Sequence, residues 1–285
     1  RMCGCEIRWL HLKDENGFSL ESAREELYAM LFDGSGDASK IASVPTLSSK
    51  HEDVWEKILI LGNPNNPTGR AISATELERL AEVCRETHTW LMLDECFQWF
   101  LDTRRECSFV GNLLNGVGDH VILLNALTKI CSMAGLRLGY GIIPNAGLQE
   151  RLEKFRQPWS VSAPAQAGGV AAFAVLADHS EGNLLEWTVK FLQAERPRLA
   201  EKLEELGFIV YPSQTNYLLF RSPDEDSRDY KQGCLEHGIL IRACENFEGL
   251  NRHYYRVAVR NRGENERLIN ILKEVQSEEK HNVNL

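Results

Sequence analysis

Val121-Ile122-Leu123-Leu124-Asn125-Ala126-Leu127-Thr128-Lys129 is the stretch on which the reading of this chain turns. Its apolar half reads as a buried strand, and the strand delivers a lysine into the loop that follows. Eight residues on, Arg137 sits inside Gly135-Leu136-Arg137-Leu138-Gly139. Upstream lie Asn63-Pro64-Asn65-Asn66-Pro67-Thr68-Gly69 and, closing another apolar run, Asp94-Glu95. Taken singly, a lysine in a loop is most often a solvated surface charge, and Asn-Pro-Thr-Gly a plain turn. Asp-Glu after a strand is commonly a helix cap. Here a lysine, an arginine, an asparagine and an aspartate all follow strand ends, where α/β folds gather ligand-binding groups. Together they read as a site.

Working outward, apolar runs bounded by turn residues predict strands at Ile7–Leu12, Lys57–Gly62, Trp90–Asp94, His120–Asn125 and Leu138–Ile143. Ser73-x-x-Glu76 is a capping box, and Leu77, Leu80, Ala81 and Cys84 follow at helical spacing. Strands alternating with helices imply a mainly parallel sheet with helices on both faces, an α/β architecture. Residues 145–206 read as mostly helical, broken near Gln157-Pro158-Trp159 and at Gly182. After Gly207 the pattern changes to short strands (Phe208–Tyr211, Asn216–Arg221, Ile239–Arg242, Tyr254–Val259) separated by helices at Asp224–His237 and Glu264–Val275. The expected division is a large domain over 1–195 and a small C-terminal α/β domain over 196–285. Asp33-Gly34-Ser35-Gly36-Asp37 reads as a loop rather than a phosphate cradle, and Glu278–Leu285 as a polar, frayed tail.

At 285 residues the chain is long enough for two cores. Its 43% hydrophobic and 26% charged composition is that of a globular protein. A net charge of −9 with no long basic run argues against nucleic acid as a partner, so an anionic ligand has to be held by a few placed arginines. The eight cysteines form no C-x-x-C pair; Cys3 and Cys5 flank a glycine with no second pair to complete a zinc site. They are expected to be reduced, mostly buried and not to bind metal. No apolar stretch is long enough to span a bilayer, and a cytoplasmic enzyme is expected. The chain opens at Arg1 and enters a strand-like stretch almost at once, which reads as a fragment of a longer protein.

At these residues the chain resembles the class I/II aminotransferases, fold type I enzymes that use pyridoxal 5'-phosphate, and the resemblance runs over essentially all of it. It implies a mainly parallel large domain, a small C-terminal domain and a homodimer. Lys129 matches the lysine that forms the imine with the cofactor. Asp94 matches the partner of its pyridine nitrogen, Asn66 the donor to its phenolic oxygen, and Thr128 and Arg137 its phosphate contacts. Arg242, ending Gly238-Ile239-Leu240-Ile241, and Arg256, within Tyr254-Tyr255-Arg256-Val257-Ala258-Val259-Arg260, match arginines that bind anionic groups of the substrate. The planar guanidinium fork suits an oxyanion. Either arginine could instead be an outward strand residue in an ion pair.

Phe97 narrows the resemblance. Aminotransferase relatives usually carry tyrosine there, its hydroxyl reaching the cofactor's phenolic oxygen. Phenylalanine at this position is similar to the threonine-phosphate decarboxylases of cobalamin biosynthesis, close relatives of histidinol-phosphate aminotransferases. The segments Gln157–Ser162, Ile241–Leu250 and Tyr255–Arg260 point the same way. The expected reaction is decarboxylation of L-threonine O-3-phosphate to (R)-1-aminopropan-2-ol O-phosphate. The alternatives are an aminotransferase acting on histidinol phosphate or a related amino acid, and a non-catalytic remnant. Two departures stand against the resemblance. Ala126 replaces the usual hydroxyl on the cofactor phosphate, and the family's opening segment, with its phosphate-cradling glycine turn, is absent.

Overall fold

The computed structural model describes residues 6–33, 57–223 and 225–282. The chain divides into two compact units. Unit 1 comprises Arg1–Asn65 and Ala71–Leu185, and unit 2 comprises Asn66–Arg70 and Glu186–Leu285. The division falls after Leu185, and helix Leu184–Glu205 is almost wholly part of the second unit. The short segment Asn66–Arg70 also joins that unit, although its flanks belong to the first.

Unit 1 carries α1 (Arg24–Asp33), β1 (Lys57–Gly62), α2 (Ala74–Glu86), β2 (Thr89–Asp94), α3 (Arg104–Cys107), α4 (Val110–Leu114), β3 (Val121–Ala126), β4 (Gly139–Ile142), α5 (Ala146–Phe155) and α6 (Ala163–Leu176). The strands form one sheet in the order β1-β2-β3-β4. The first three run parallel and β4 returns antiparallel to β3. The expected mainly parallel sheet is therefore present, and the β3–β4 connection is a hairpin.

Helix α2 forms for the reasons its sequence suggests. Ser73 caps it, its hydroxyl accepting the Glu76 amide at 3.3 Å. The reciprocal half of the capping box is absent. The Glu76 carboxylate is buried and bound by Arg24, at 2.8 Å from Nε and 2.7 Å from Nη2. A long-range bidentate pair has displaced the local bond. Leu77, Leu80, Ala81 and Cys84 face Leu91, Leu93, Val121 and Leu123 to make the core, with Leu27 and Leu31 of α1. The strand expected at Ile7–Leu12 does not form; residues 6–13 carry no regular structure, and Ile7 and Trp9 are exposed. A strand gains stability only from a paired neighbour. Cys3, Cys5 and the loop residues Gly34–Asp37 lie outside the described residues.

Unit 2 carries α7 (Leu184–Glu205), β5 (Ile209–Val210), β6 (Tyr217–Arg221), α8 (Tyr230–Glu236), β7 (Arg242–Ala243), β8 (Tyr254–Ala258) and α9 (Arg262–Asn282). Its sheet has the order β5-β6-β8-β7 and is antiparallel throughout. Phe208, Phe220, Tyr230 and Tyr255 pack edge-on and tilted at 4.9–5.9 Å between ring centroids, the aromatic heart of this unit. The strand expected at Ile239–Arg242 is replaced by β7, which shares only Arg242 with it, and the helix expected at Asp224–His237 begins only at Tyr230, capped by Asp229. Helix α9 runs on to Asn282, through residues expected to fray. Cys84, Cys234 and Cys244 are buried free thiols, as expected, while Cys96, Cys107 and Cys131 are half-buried. No group of three His, Cys, Asp or Glu side chains among the described residues is arranged to hold a metal ion.

Candidate active site

Parallel register places the unit 1 residues on one edge. Gly62 of β1 is beside Asp94 of β2, and Asp94 beside Leu124 of β3, so the carboxyl-terminal ends of three strands are level. That edge is where open α/β sheets bind ligands. The Asp94 side chain is exposed there, and its Oδ1 accepts the Cys96 amide at 2.9 Å. The β3–β4 hairpin supplies the other groups. Ala126 and Gly139 are paired, so Thr128, Lys129 and Arg137 all lie on the loop that this pair closes. Thr128 is buried, whereas Lys129 and Arg137 are exposed. The Lys129 ammonium lies 5.3 Å from the centroid of the Phe97 ring. Arg137 adopts a left-handed backbone (φ 53°), and its Nη1 donates to the Ala134 carbonyl at 3.1 Å. Non-glycine residues held in that region cluster at ligand sites.

Between Asp94 and Phe97 the electrostatics are sharply graded. Burial pushes the Glu95 carboxyl up to about 7, and the Asp94 charge pushes the same way. The Ser108 hydroxyl (2.6 Å) and Phe109 amide (2.9 Å) bond to the Glu95 carboxyl and pull against that rise. The Cys96 thiol is raised to about 12 by burial, by its hydrogen bond to Asp94 and by the Asp94 charge, with Lys129 opposing. Cys96 is therefore a neutral donor to Asp94, close to both Asp94 and Lys129. Tyr140 of β4 is raised to about 12 by burial and by Glu95 and Cys96. Opposite Tyr140, Asn125 accepts the Trp99 indole at 3.0 Å, tying the Phe97 segment to β3.

Unit 2 holds the remaining predicted residues. Arg256 Nη1 donates to Asn66 Oδ1, and its guanidinium lies 4.9 Å from the Tyr217 ring centroid. Arginine has donors only, so the Asn66 amide must turn its oxygen toward Arg256 and leave its NH2 as the free donor. Arg242 donates to Asn246 Oδ1 at 2.8 Å and lies 5.9 Å from the Phe247 ring centroid. Arg242 and Arg256 are directly opposite in the β7–β8 register, which places both on one face. Both pull against the burial that raises the Cys244 thiol to about 11. Neither forms an ion pair with a carboxylate among the described residues, unlike Arg24, Arg198, Arg228 and Arg260.

The structure thus gathers Asp94, Phe97 and Lys129, puts Thr128 and Arg137 on the same loop as Lys129, and separately joins Asn66 to Arg256 beside Arg242. Sequence reasoning missed Cys96, Tyr217 and the turn at Ser213–Thr215 that binds Gly69. Cys96 was visible between Asp94 and Phe97. Tyr217 becomes legible only once β6 is registered on β8.

Comparison with known proteins identifies the family. The family described as aminotransferase class I and II matches residues 36–272, and the chain belongs to it. Family members are pyridoxal phosphate enzymes of the fold seen here. A threonine-phosphate decarboxylase from Salmonella typhimurium is 33% identical over 273 residues, 95% of this chain and 65% of that protein. The crystal structure of a histidinol-phosphate aminotransferase from Clostridium acetobutylicum superposes with a TM-score of 0.69 at 29% identity, covering 78% of this chain and 64% of that one. That of L-threonine-O-3-phosphate decarboxylase from Porphyromonas gingivalis gives 0.67 at 25% identity, covering 80% and 68%. The chain spans 65% and 56% of the length of the first curated relatives that it matches.

Proposed function

We propose that this member of the class I and II aminotransferases is a pyridoxal phosphate-dependent lyase that decarboxylates a phosphorylated hydroxy-amino acid, L-threonine O-3-phosphate, to (R)-1-aminopropan-2-ol O-phosphate. The observation that carries the reading is the cross-strand pair Arg242 and Arg256. Like charges directly opposite in a sheet are destabilising. Here neither is neutralised by a carboxylate among the described residues, and a ligand bearing two anionic groups supplies what the pair lacks.

The unit 1 residues suit the cofactor. An exposed amine, an exposed carboxylate at the adjoining strand end and a buried hydroxyl fit a group with an aldehyde, a cationic ring nitrogen and a phosphate. Bound, that group supplies an electron sink for a bond broken at the amino acid's Cα. Lys129 is its covalent anchor and carries protons to and from Cα. Asp94, fixed by the Cys96 amide and thiol, would pair with the ring nitrogen. Thr128 and Arg137 take the phosphate, and Asn66 Nδ2 donates to the phenolic oxygen. Phe97 gives Lys129 an apolar ring in place of a hydroxyl, leaving Asn66 as the donor to that oxygen. Arg242 and Arg256 hold the substrate's carboxylate and phosphate, and so decide which Cα bond is broken.

The 33% identical decarboxylase supports this choice of substrate, and relatives named histidinol-phosphate aminotransferases mark the competing one. Histidinol phosphate has a phosphate but no carboxylate, and would leave one arginine without an anion. We expect a homodimer, and the exposed Phe155, Trp159, Val170 and Phe173 on and around α5 and α6 support an apolar surface covered by a second copy. A monomer mass in solution with full activity would refute the dimer. The deciding assay incubates the protein with threonine phosphate and, separately, with histidinol phosphate plus 2-oxoglutarate. Carbon dioxide release in the first is expected; glutamate formation without carbon dioxide hands the reaction to an aminotransferase.

A further inference from the structure

A closed circuit of contacts runs through unit 2 around Asn66. Gly69 has φ +76°, and a Cβ there would overlap the Ser213 hydroxyl and lie 2.8 Å from both Ser213 Cβ and Thr215 Oγ1. The Gly69 carbonyl accepts the Gln214 amide at 2.8 Å. The Ser213 hydroxyl donates to the Tyr217 carbonyl at 2.6 Å, accepts the Thr215 amide at 3.2 Å and sits 3.1 Å from Thr215 Oγ1. Thr215 is completely buried, and its carbonyl is held by Arg196 of α7 at 3.0 Å. Tyr217 supports the Arg256 guanidinium, and Arg256 bonds to Asn66, three residues before Gly69. One hydroxyl therefore stands where both arms of the circuit meet. One arm is the turn that carries Asn66, and the other is the strand residue on which Arg256 rests.

We propose that Ser213 is a positioning residue for Asn66, setting the direction of its amide through the 213–217 turn and Gly69; this rests on the assignment of Asn66 as the cofactor donor. Ser213 itself touches neither cofactor nor substrate in this assignment. A side chain at position 69 and a serine at position 213 exclude one another, so the missing Cβ of Gly69 is the counterpart of the Ser213 hydroxyl. Removing the hydroxyl leaves the Tyr217 carbonyl and Thr215 amide without their shared partner and loosens the Gln214–Gly69 bond.

The test has two arms. In the protein without added cofactor, Ser213→Ala is expected to speed hydrogen exchange at the Gln214 amide about tenfold while the Leu219 amide of β6 is unchanged. In the pyridoxal phosphate-loaded protein, the midpoint of the pH titration of the near-visible absorbance band is expected to shift in Ser213→Ala in the same direction as in Asn66→Ala, and by less. The double variant is expected to shift no further than Asn66→Ala alone. Unchanged exchange at Gln214 overturns the inference, as does a shift additive with that of Asn66→Ala. A fall in melting temperature with no shift of the midpoint assigns Ser213 to stability alone and also overturns it. An absent band in the unsubstituted protein overturns the cofactor assignment instead, and the exchange arm still decides the placement of the turn.

Discussion

Glu95 offers a test of the electrostatics beside the site that needs neither cofactor nor substrate. Its carboxyl is fully buried and held up to about 7 from an ordinary value of 4.5. The difference of about 2.5 units, at roughly 1.4 kcal/mol per unit, corresponds to about 3.5 kcal/mol. The sign follows from the direction. A raised value means that the folded state holds the proton more tightly, so the protonated group favours folding. That contribution is complete below pH 4.5, declines as pH rises toward 7 and is gone above it. Glu95→Gln keeps an oxygen for the Phe109 amide and offers its NH2 to the Ser108 hydroxyl, but does not titrate. Urea unfolding of both proteins from pH 4.5 to 8 should show the unsubstituted protein losing about 3.5 kcal/mol relative to the variant as pH rises. A stability difference that is flat across this range, or that grows in favour of glutamate, would refute the reasoning. It would mean that the two hydrogen bonds outweigh burial.

The remaining predictions concern the site directly. Lys129→Ala should abolish the absorbance band of lysine-bound pyridoxal phosphate and turnover, with some non-covalent cofactor binding retained; a borohydride-reducible adduct at another lysine would show the anchor to be elsewhere. Asp94→Asn should lower kcat far more than cofactor affinity, and unchanged turnover would remove Asp94 from its role. Arg242→Gln and Arg256→Gln should each lower kcat/KM for threonine phosphate by about 10- to 150-fold, the factor for one charge-assisted contact of roughly 1.5–3 kcal/mol. Equal losses for a substrate without phosphate would show that the two arginines do not divide its anionic groups.

The sheet of unit 1 was legible because its strands are short and apolar, with turn residues at each end, although only β2 and β3 are largely buried. Lys57–Gly62 and the strands ending at Asp94 and Ala126 sit within a residue or two of their expected bounds. Ile7–Leu12 also reads locally as a strand and fails, because a local pattern records a preference for pleated surfaces but not the presence of a neighbour. The capping box at Ser73 failed by half for a related reason, its glutamate being taken by Arg24 from 52 residues away. Lys129, Asp94 and Arg137 could be read from their position after strands. The Arg242–Arg256 pairing could not, since β7 is two residues long and its register is set by β8 rather than by its own sequence.

The assignment of Asn66–Arg70 to unit 2 has a consequence for the order of folding. The bond between Asn66 and Arg256 spans 190 residues of sequence, whereas every strand pair among the described residues of unit 1 is complete once Ile142 has been made. On a chain emerging from its amino terminus, the first sheet can close while Asn66 still waits for its partner. The asparagine turn is then among the last parts to be fixed, because long-range closure carries its entropy cost before any contact repays it. A protein released early, anywhere before β8, would keep its lysine and aspartate in place and lack a held Asn66.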